Sequence, residues 1–301
     1  MKLLFHSPGH AKNTHAIQQM CKSRGIELIF THDDNMAYQG NYDILIANSR
    51  FLDPNRIPSH IFIIFGPQHF VFPSGPLVGK YDLEYSKRCV FNSLSKWVEK
   101  MWLSMTDFKI PIVQFPFTVD LEKFTPNLSK QITIDCVFYV KQRQNNLIST
   151  AENIIQKHSL SYQKFVYGSY QENNYLQTLK SCKFMITLDR HESQGFALEE
   201  AMACNIPLLV IDATTMYDES NGNNSVYSYL QPRDLSATSV PYWSDDCGIR
   251  ITEVSELDSA LTEMEKRYLE FQPRKYIEAT LSPEVCMDRI LNHPYCPQTH
   301  I

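Results

Sequence analysis

Short apolar runs alternate with stretches whose apolar residues recur at helical spacing along most of the chain, the pattern of α/β units built on parallel strands. In the first half this pattern predicts strands at Lys2–Phe5, Glu27–Phe30, Asp43–Ala47, His60–Phe65, Cys89–Asn92 and Ile112–Gln114, with helices over Thr14–Ser23 and Ser95–Leu103. The second half begins the same logic again. Strands are expected at Ile132–Val140, Lys164–Tyr167, Lys183–Leu188 and Leu208–Ile211, with helices at Asn146–Lys157 and Glu172–Leu179 between them. Two further helices, Ser255–Phe271 and Ser282–Leu291, follow a polar stretch, Asp218–Asp234, that reads as a surface loop.

Such repetition predicts two stacked α/β domains rather than one extended sheet. Between the halves, PFTVDLEKFTPNLSKQ (Pro116 to Gln131) carries two prolines and many polar residues, so the division is placed at residues 1–125 and 126–301. A length of 301 residues suits two such cores.

Composition narrows the function. A net charge of −5 and the lack of any long Lys/Arg run argue against a nucleic-acid partner, which would need a basic face. No window approaches the roughly 18 apolar residues of a membrane-spanning helix, which leaves peripheral membrane contact only. MKLLFHSPGH reads as a first strand and not as a leader peptide. The eight cysteines are scattered, without C-x-x-C or close Cys/His spacing, so no metal site is expected and the chain reads as cytoplasmic with reduced thiols.

The richest segment is HESQGFALEEAMACNIPLLV, His191 to Val210. It follows a strand ending at Leu188, so its loop lies at the carboxyl end of a parallel strand, where open α/β sheets bind ligands. Amides of Gly195, Phe196 and Ala197 would open the helix, and the helix dipole favours an anion there, such as a diphosphate. Glu192 in the loop and Glu200 one turn into the helix suit hydroxyl groups of a sugar and a ribose, while Glu199 is expected to point elsewhere. Asn205 fits the left-handed position after the helix. From pattern alone, an exposed loop glutamate, a solvated helix glutamate and a turn glycine satisfy the same residues.

With its flanks this segment resembles the E-x7-E donor signature of family 4 glycosyltransferases of GT-B fold, through Glu192, Gly195, Glu200, Ala201, Met202, Ala203 and Pro207. PFTVDLEKFTP resembles that family's interdomain linker at Pro116, Val119, Asp120, Phe124 and Pro126; YGSY, Tyr167 to Tyr170, resembles its base-lining glycine turn. The resemblance implies two Rossmann-like α/β domains facing each other across a cleft, an acceptor-side domain first and a nucleotide-sugar donor domain second. It implies a retaining, metal-independent transfer from a nucleotide-diphosphate sugar, UDP- or GDP-linked, to a hydroxyl of a glycan or glycoconjugate, with no further cofactor.

By the same resemblance Glu192 contacts the donor sugar, Glu200 the ribose, the amides of Gly195 to Ala197 the sugar or phosphate oxygens, and Gly168 the base. His191 and Gln194 flank that pocket. Lys141 and Arg143 are the candidate cations for the leaving diphosphate, although the chain has Y-V-K-Q-R-Q where the family usually has Gly-Arg. Gly9 and His10, after the first strand, would reach the donor, and His69 in FGPQHFVFP stands where the family often places a histidine. A sugar-nucleotide epimerase or hydrolase and a catalytically silent binding subunit share the same architecture. A dehydrogenase is disfavoured, because no G-x-G-x-x-G occurs, and no Walker-type phosphate loop occurs either.

Overall fold

The computed structural model describes residues 1–48, 50, 52–67, 88–105, 110–127, 131–215 and 236–297. The chain divides into two units: Met1–Thr118 with Thr280–Ile301, and Val119–Ala279.

In the first unit β1 (Lys2–His6), β2 (Glu27–Thr31), β3 (Ile44–Ala47), β4 (Phe62–Phe65), β5 (Cys89–Asn92) and β6 (Ile112–Val113) form a parallel sheet of order β2-β1-β3-β4-β5-β6. β3, β4 and β5 are buried along their whole length, which is why β3 and β4 read as unbroken apolar runs and not as alternating ones. Helix α1 (Ala11–Ser23) begins three residues earlier than its periodicity suggests, with His10 extended at its N-cap. A short helix that the pattern does not signal, α2 (Asp34–Gln39), is capped by the Asp33 side chain and closed by Gly40 in the left-handed region. α3 (Lys96–Met105) leads to β6.

The second unit holds β7 (Ile134–Lys141), α4 (Asn145–Lys157), β8 (Tyr162–Val166), α5 (Glu172–Leu179), β9 (Cys182–Asp189), α6 (Phe196–Ala203), β10 (Leu208–Ile211), β11 (Gly248–Ile251) and α7 (Leu257–Arg267). Its sheet is parallel, of order β11-β10-β9-β7-β8. One layer of core packs β7, β9 and β10 against α4 and α7 through Phe138, Ile186, Ile211, Ile155 and Leu261. The strand order reverses between β1 and β3 in the first sheet and between β7 and β9 in the second, so each has a switch point at which the connecting segments part.

The end of the chain departs from the division at residue 125. α8 (Pro273–Leu281) is an additional helix, and α9 (Pro283–Leu291) belongs with the first unit, where it packs on α1. Arg24 holds it there with a two-pronged contact to Asp288, Nε at 2.7 Å and Nη2 at 2.6 Å. His293 stacks on Phe62 with ring centroids 5.0 Å apart. Helical periodicity identifies an amphipathic helix but not the unit whose surface it covers. The helix expected over Ser255–Phe271 is shorter, because Val254–Glu256 is a separate 3-10 turn and the chain breaks before Pro273. All eight cysteines are buried and none is in a disulfide. The stretch Asp218–Asp234 lies outside the described residues.

Candidate functional site

Polar side chains that a core would ordinarily exclude collect at the carboxyl end of the second sheet. Lys141, Arg143, Thr187, Asp189, His191, Gln194, Glu199, Glu200, Asp212 and Ser239 are all buried, and all but Ser239 lie at or just beyond the end of β7, β9 or β10 or on α6. Burying so many polar groups is costly unless they bond to one another, so their convergence marks a built site.

Its frame is the register pair Lys141↔Asp189, the last residues of β7 and β9, which flank the switch point. Lys141 Nζ pairs with the Glu192 carboxylate and lies 4.3 Å from the centre of the Tyr167 ring. Tyr167 is bound to the end of β7 through its amide, which donates to Val140 O at 2.9 Å, and Gly168 follows with φ +79 in the turn after β8. Gly168, Lys141 and Glu192 are thereby brought to one place.

The loop from Arg190 to Gln194 ends on Gly195, whose φ of +95 sends the chain into α6. A side chain there would meet nothing nearer than Ser239 O at 3.4 Å, so the glycine answers a backbone requirement and not a lack of room. The amides of Leu198 and Glu199 both donate to Gly195 O, at 3.0 and 3.1 Å. Phe196 and Ala197 open the helix and are half-buried. Asn205 closes it at φ +59: its amide donates to Met202 O and that of Ile206 to Ala201 O, a Schellman ending.

Glu199 does not turn away to solvent. It is as buried as Glu200 and accepts a 3.0 Å hydrogen bond from Gln194 Nε2, because α6 is covered on nearly all sides. Arg143 is also buried. Its Nη1 donates to Asp189 O at 2.9 Å and Ile211 O at 3.3 Å, joining the ends of β9 and β10, a use that a sequence pattern of two loop cations does not reveal.

Burial sets the electrostatics. Desolvation pushes the Asp189 carboxyl up to about 6, against the opposing pull of Lys141 and of the Arg190 amide. It pushes His191 down to about 3, with Arg190 and Lys141 acting in the same sense, so the imidazole is neutral at physiological pH. Behind the site Tyr175 donates to Ala197 O at 2.7 Å and packs with Tyr139 and Tyr170, fixing the first turn of α6 from below.

Gly9 and His10 lie in the first unit, between β1 and α1. Nearby, Ser7 takes a positive φ of 58° and Asn48 Nδ2 donates to its carbonyl at 3.0 Å. His69 lies outside the described residues. Asp212 and the Thr238–Val240 segment, which no local sequence signal singles out, also belong to the site: Glu192 N–H donates to Thr238 O at 3.0 Å. Among the described residues no helix is long and apolar enough to cross a membrane.

Residues 130–237 match the family model described as glycosyl transferases group 1. Among solved structures the chain is similar to AviGT4, a glycosyltransferase involved in avilamycin A biosynthesis, at 11% identity and a TM-score of 0.58, covering 97% of this chain and 96% of that one. It is similar to the lipopolysaccharide outer core galactosyltransferase WaaB at 12% identity and a TM-score of 0.54, covering 97% and 98%. A third similar structure, a mutant of S. aureus TarM in complex with fondaparinux, alpha-GlcNAc-glycerol and UDP, shares 14% identity at a TM-score of 0.51, covering 83% of this chain and 54% of that one. No curated protein sequence matches the chain. The second unit therefore carries a glycosyl transferases group 1 domain, and the chain has the GT-B glycosyltransferase fold.

Proposed function

We propose that the protein transfers a sugar from a nucleotide-diphosphate donor to an acceptor hydroxyl with retention at the anomeric carbon, and that the second unit binds the donor. The observation that carries this reading is the Lys141–Glu192 pair at the switch point, with Glu200 buried one turn into the adjoining helix. Glu192 accepts from hydroxyls of the sugar, and Glu200 from those of the ribose. The turn at Gly168 lines the base. Amides of Gly195 to Ala197 and the positive end of α6 receive the diphosphate.

In the reaction the bond from the anomeric carbon to the phosphate oxygen breaks and the acceptor oxygen bonds to that carbon. The departing diphosphate takes the acceptor's proton, so no strong protein base is required. Lys141 and the helix end offset the charge that develops on the diphosphate, which removes the need for a metal ion. Arg143 adds positive potential from beneath while it ties the strand ends. Glycosyltransferase donors of this reading are UDP- or GDP-sugars; the similar TarM structure holds UDP.

A thermal-shift screen with UDP-, GDP-, ADP- and dTDP-sugars tests the reading, because a ligand that binds only the native state raises the unfolding temperature. Glu200→Ala is expected to weaken binding of the selected nucleotide at least tenfold, and unchanged affinity would remove the ribose assignment. Product analysis with donor alone separates transfer from epimerisation or hydrolysis.

A further inference from the structure

We propose that Asp212 is a positioning residue for the donor site: it fixes the Thr238–Val240 segment, whose carbonyl holds the backbone of Glu192. The inference rests on the donor-site reading above.

Asp212 follows the last residue of β10 and is 2% exposed. A carboxylate so placed is costly unless it is fully bonded. Here it collects donors. Thr238 Oγ1 donates to the carboxylate from 3.0 Å of Oδ1 and 2.9 Å of Oδ2, the Ser239 amide and hydroxyl each reach Oδ1 at 2.7 Å, and Arg250 Nε stands 3.2 Å from Oδ2. Bonds of this length to an ionised acceptor are among the stronger ones in proteins. Asp212 is itself anchored, since its amide donates to Ile251 O at 2.9 Å and Arg143 grips the preceding carbonyl.

The chain of contacts then leads to the site. The Thr238 hydroxyl also accepts from the amide of Val240, at 3.1 Å, and its carbonyl accepts from the amide of Glu192, at 3.0 Å. Ser239 O stands 3.4 Å from the point a side chain on Gly195 would occupy, so the same segment borders both ends of the Glu192–Gly195 turn. Lys141 fixes the Glu192 side chain and Thr238 its backbone. Loss of the carboxylate at 212 would release the second hold while leaving Lys141, Glu200 and α6 unchanged.

The experiment compares the 301-residue protein with Asp212→Ala and Asp212→Asn by amide hydrogen exchange and by calorimetry with UDP-glucose against UDP, and GDP-mannose against GDP. In Asp212→Ala the Glu192 amide is expected to exchange at least tenfold faster with β9 amides unchanged, and the nucleotide sugar to bind at least tenfold more weakly while the nucleoside diphosphate stays within twofold. Asp212→Asn, which keeps an oxygen for the Ser239 amide, should lie between the two in both measurements. Unchanged Glu192 exchange, or equal weakening of nucleotide sugar and nucleoside diphosphate, would overturn the proposal. If exchange behaves as expected and the wild type binds no nucleotide sugar, the donor reading fails while the hold of Asp212 on the loop stands. Should Asp212→Ala not fold, Thr238→Val and Ser239→Ala carry the same comparison with the same decisive outcomes.

Discussion

Lys141 and Glu192 are 51 residues apart in sequence and meet as an ion pair at the switch point of the second sheet, with their side chains 10% and 15% exposed. Partly desolvated pairs of this kind cost more to break than they contribute when whole.

Glu192→Ala is therefore expected to lower stability by about 3 kcal/mol, since it removes the carboxylate that balances the desolvated ammonium. The double variant Lys141→Met/Glu192→Gln should be less destabilised than the sum of its singles by about 1–3 kcal/mol in urea unfolding. Additive singles would show that the two do not act as a unit.

Two glycines should respond differently to alanine. At Gly195 the penalty is that of a left-handed backbone, about 1–2 kcal/mol, with room for the methyl group. At Gly248 a Cβ would stand 1.9 Å from the Leu208 carbonyl oxygen on the neighbouring strand, so Gly248→Ala should exceed about 4 kcal/mol or fail to accumulate as folded protein. Thermal unfolding of both variants decides the order, and a milder effect at 248 than at 195 would contradict the strand packing.

His191 gives a pH dependence with a definite sign. Its folded value, about 3, lies below the ordinary 6.5, so the unfolded chain takes up the proton first; this contribution to stability is complete above about 6.5 and declines as pH falls toward 3. Asp189, raised to about 6, works in the opposite sense between about 4 and 6, with the smaller displacement. His191→Asn should accordingly lose less stability than wild type between pH 7 and pH 4.5. Parallel pH profiles for the two proteins would refute a buried neutral imidazole.

Arg143 can be tested as a strut. Arg143→Met strips a donor from the carbonyls of Asp189 and Ile211 and is expected to destabilise the protein by about 2 kcal/mol or more. A variant of full stability that only lost nucleotide affinity would instead make Arg143 a direct phosphate ligand.

Strand, loop and helix order around His191–Val210 is legible from the sequence because each element there has its own local signal: an apolar run, a glycine, a helix-forming stretch, then Asn205 and Pro207. α5 and β10 coincide with their expected limits for the same reason. α2 is hidden, since six residues are too few to show a period, and so is β11, whose four residues include Gly248 and Arg250. The site's long-range bonds are hidden too. Nothing local distinguishes a solvated Arg143 from one gripping two strand ends, or marks Asp212 as the acceptor for Thr238 and Ser239, because those partners meet only after the sheet has formed.

The return of α9 to the first unit sets an order for synthesis. Thr118 Oγ1 donates to Leu281 O at 2.7 Å across a sequence separation of 163 residues. At roughly 5–20 residues per second a ribosome needs about 8–30 s to cover that interval. The six strands of the first sheet are thus on hand well before α9, and the nascent unit presents the α1 surface bare while the whole second unit is being made. Ribosome-bound chains halted near residue 279 should show α1 open to protease, and chains released after α9 should show it protected.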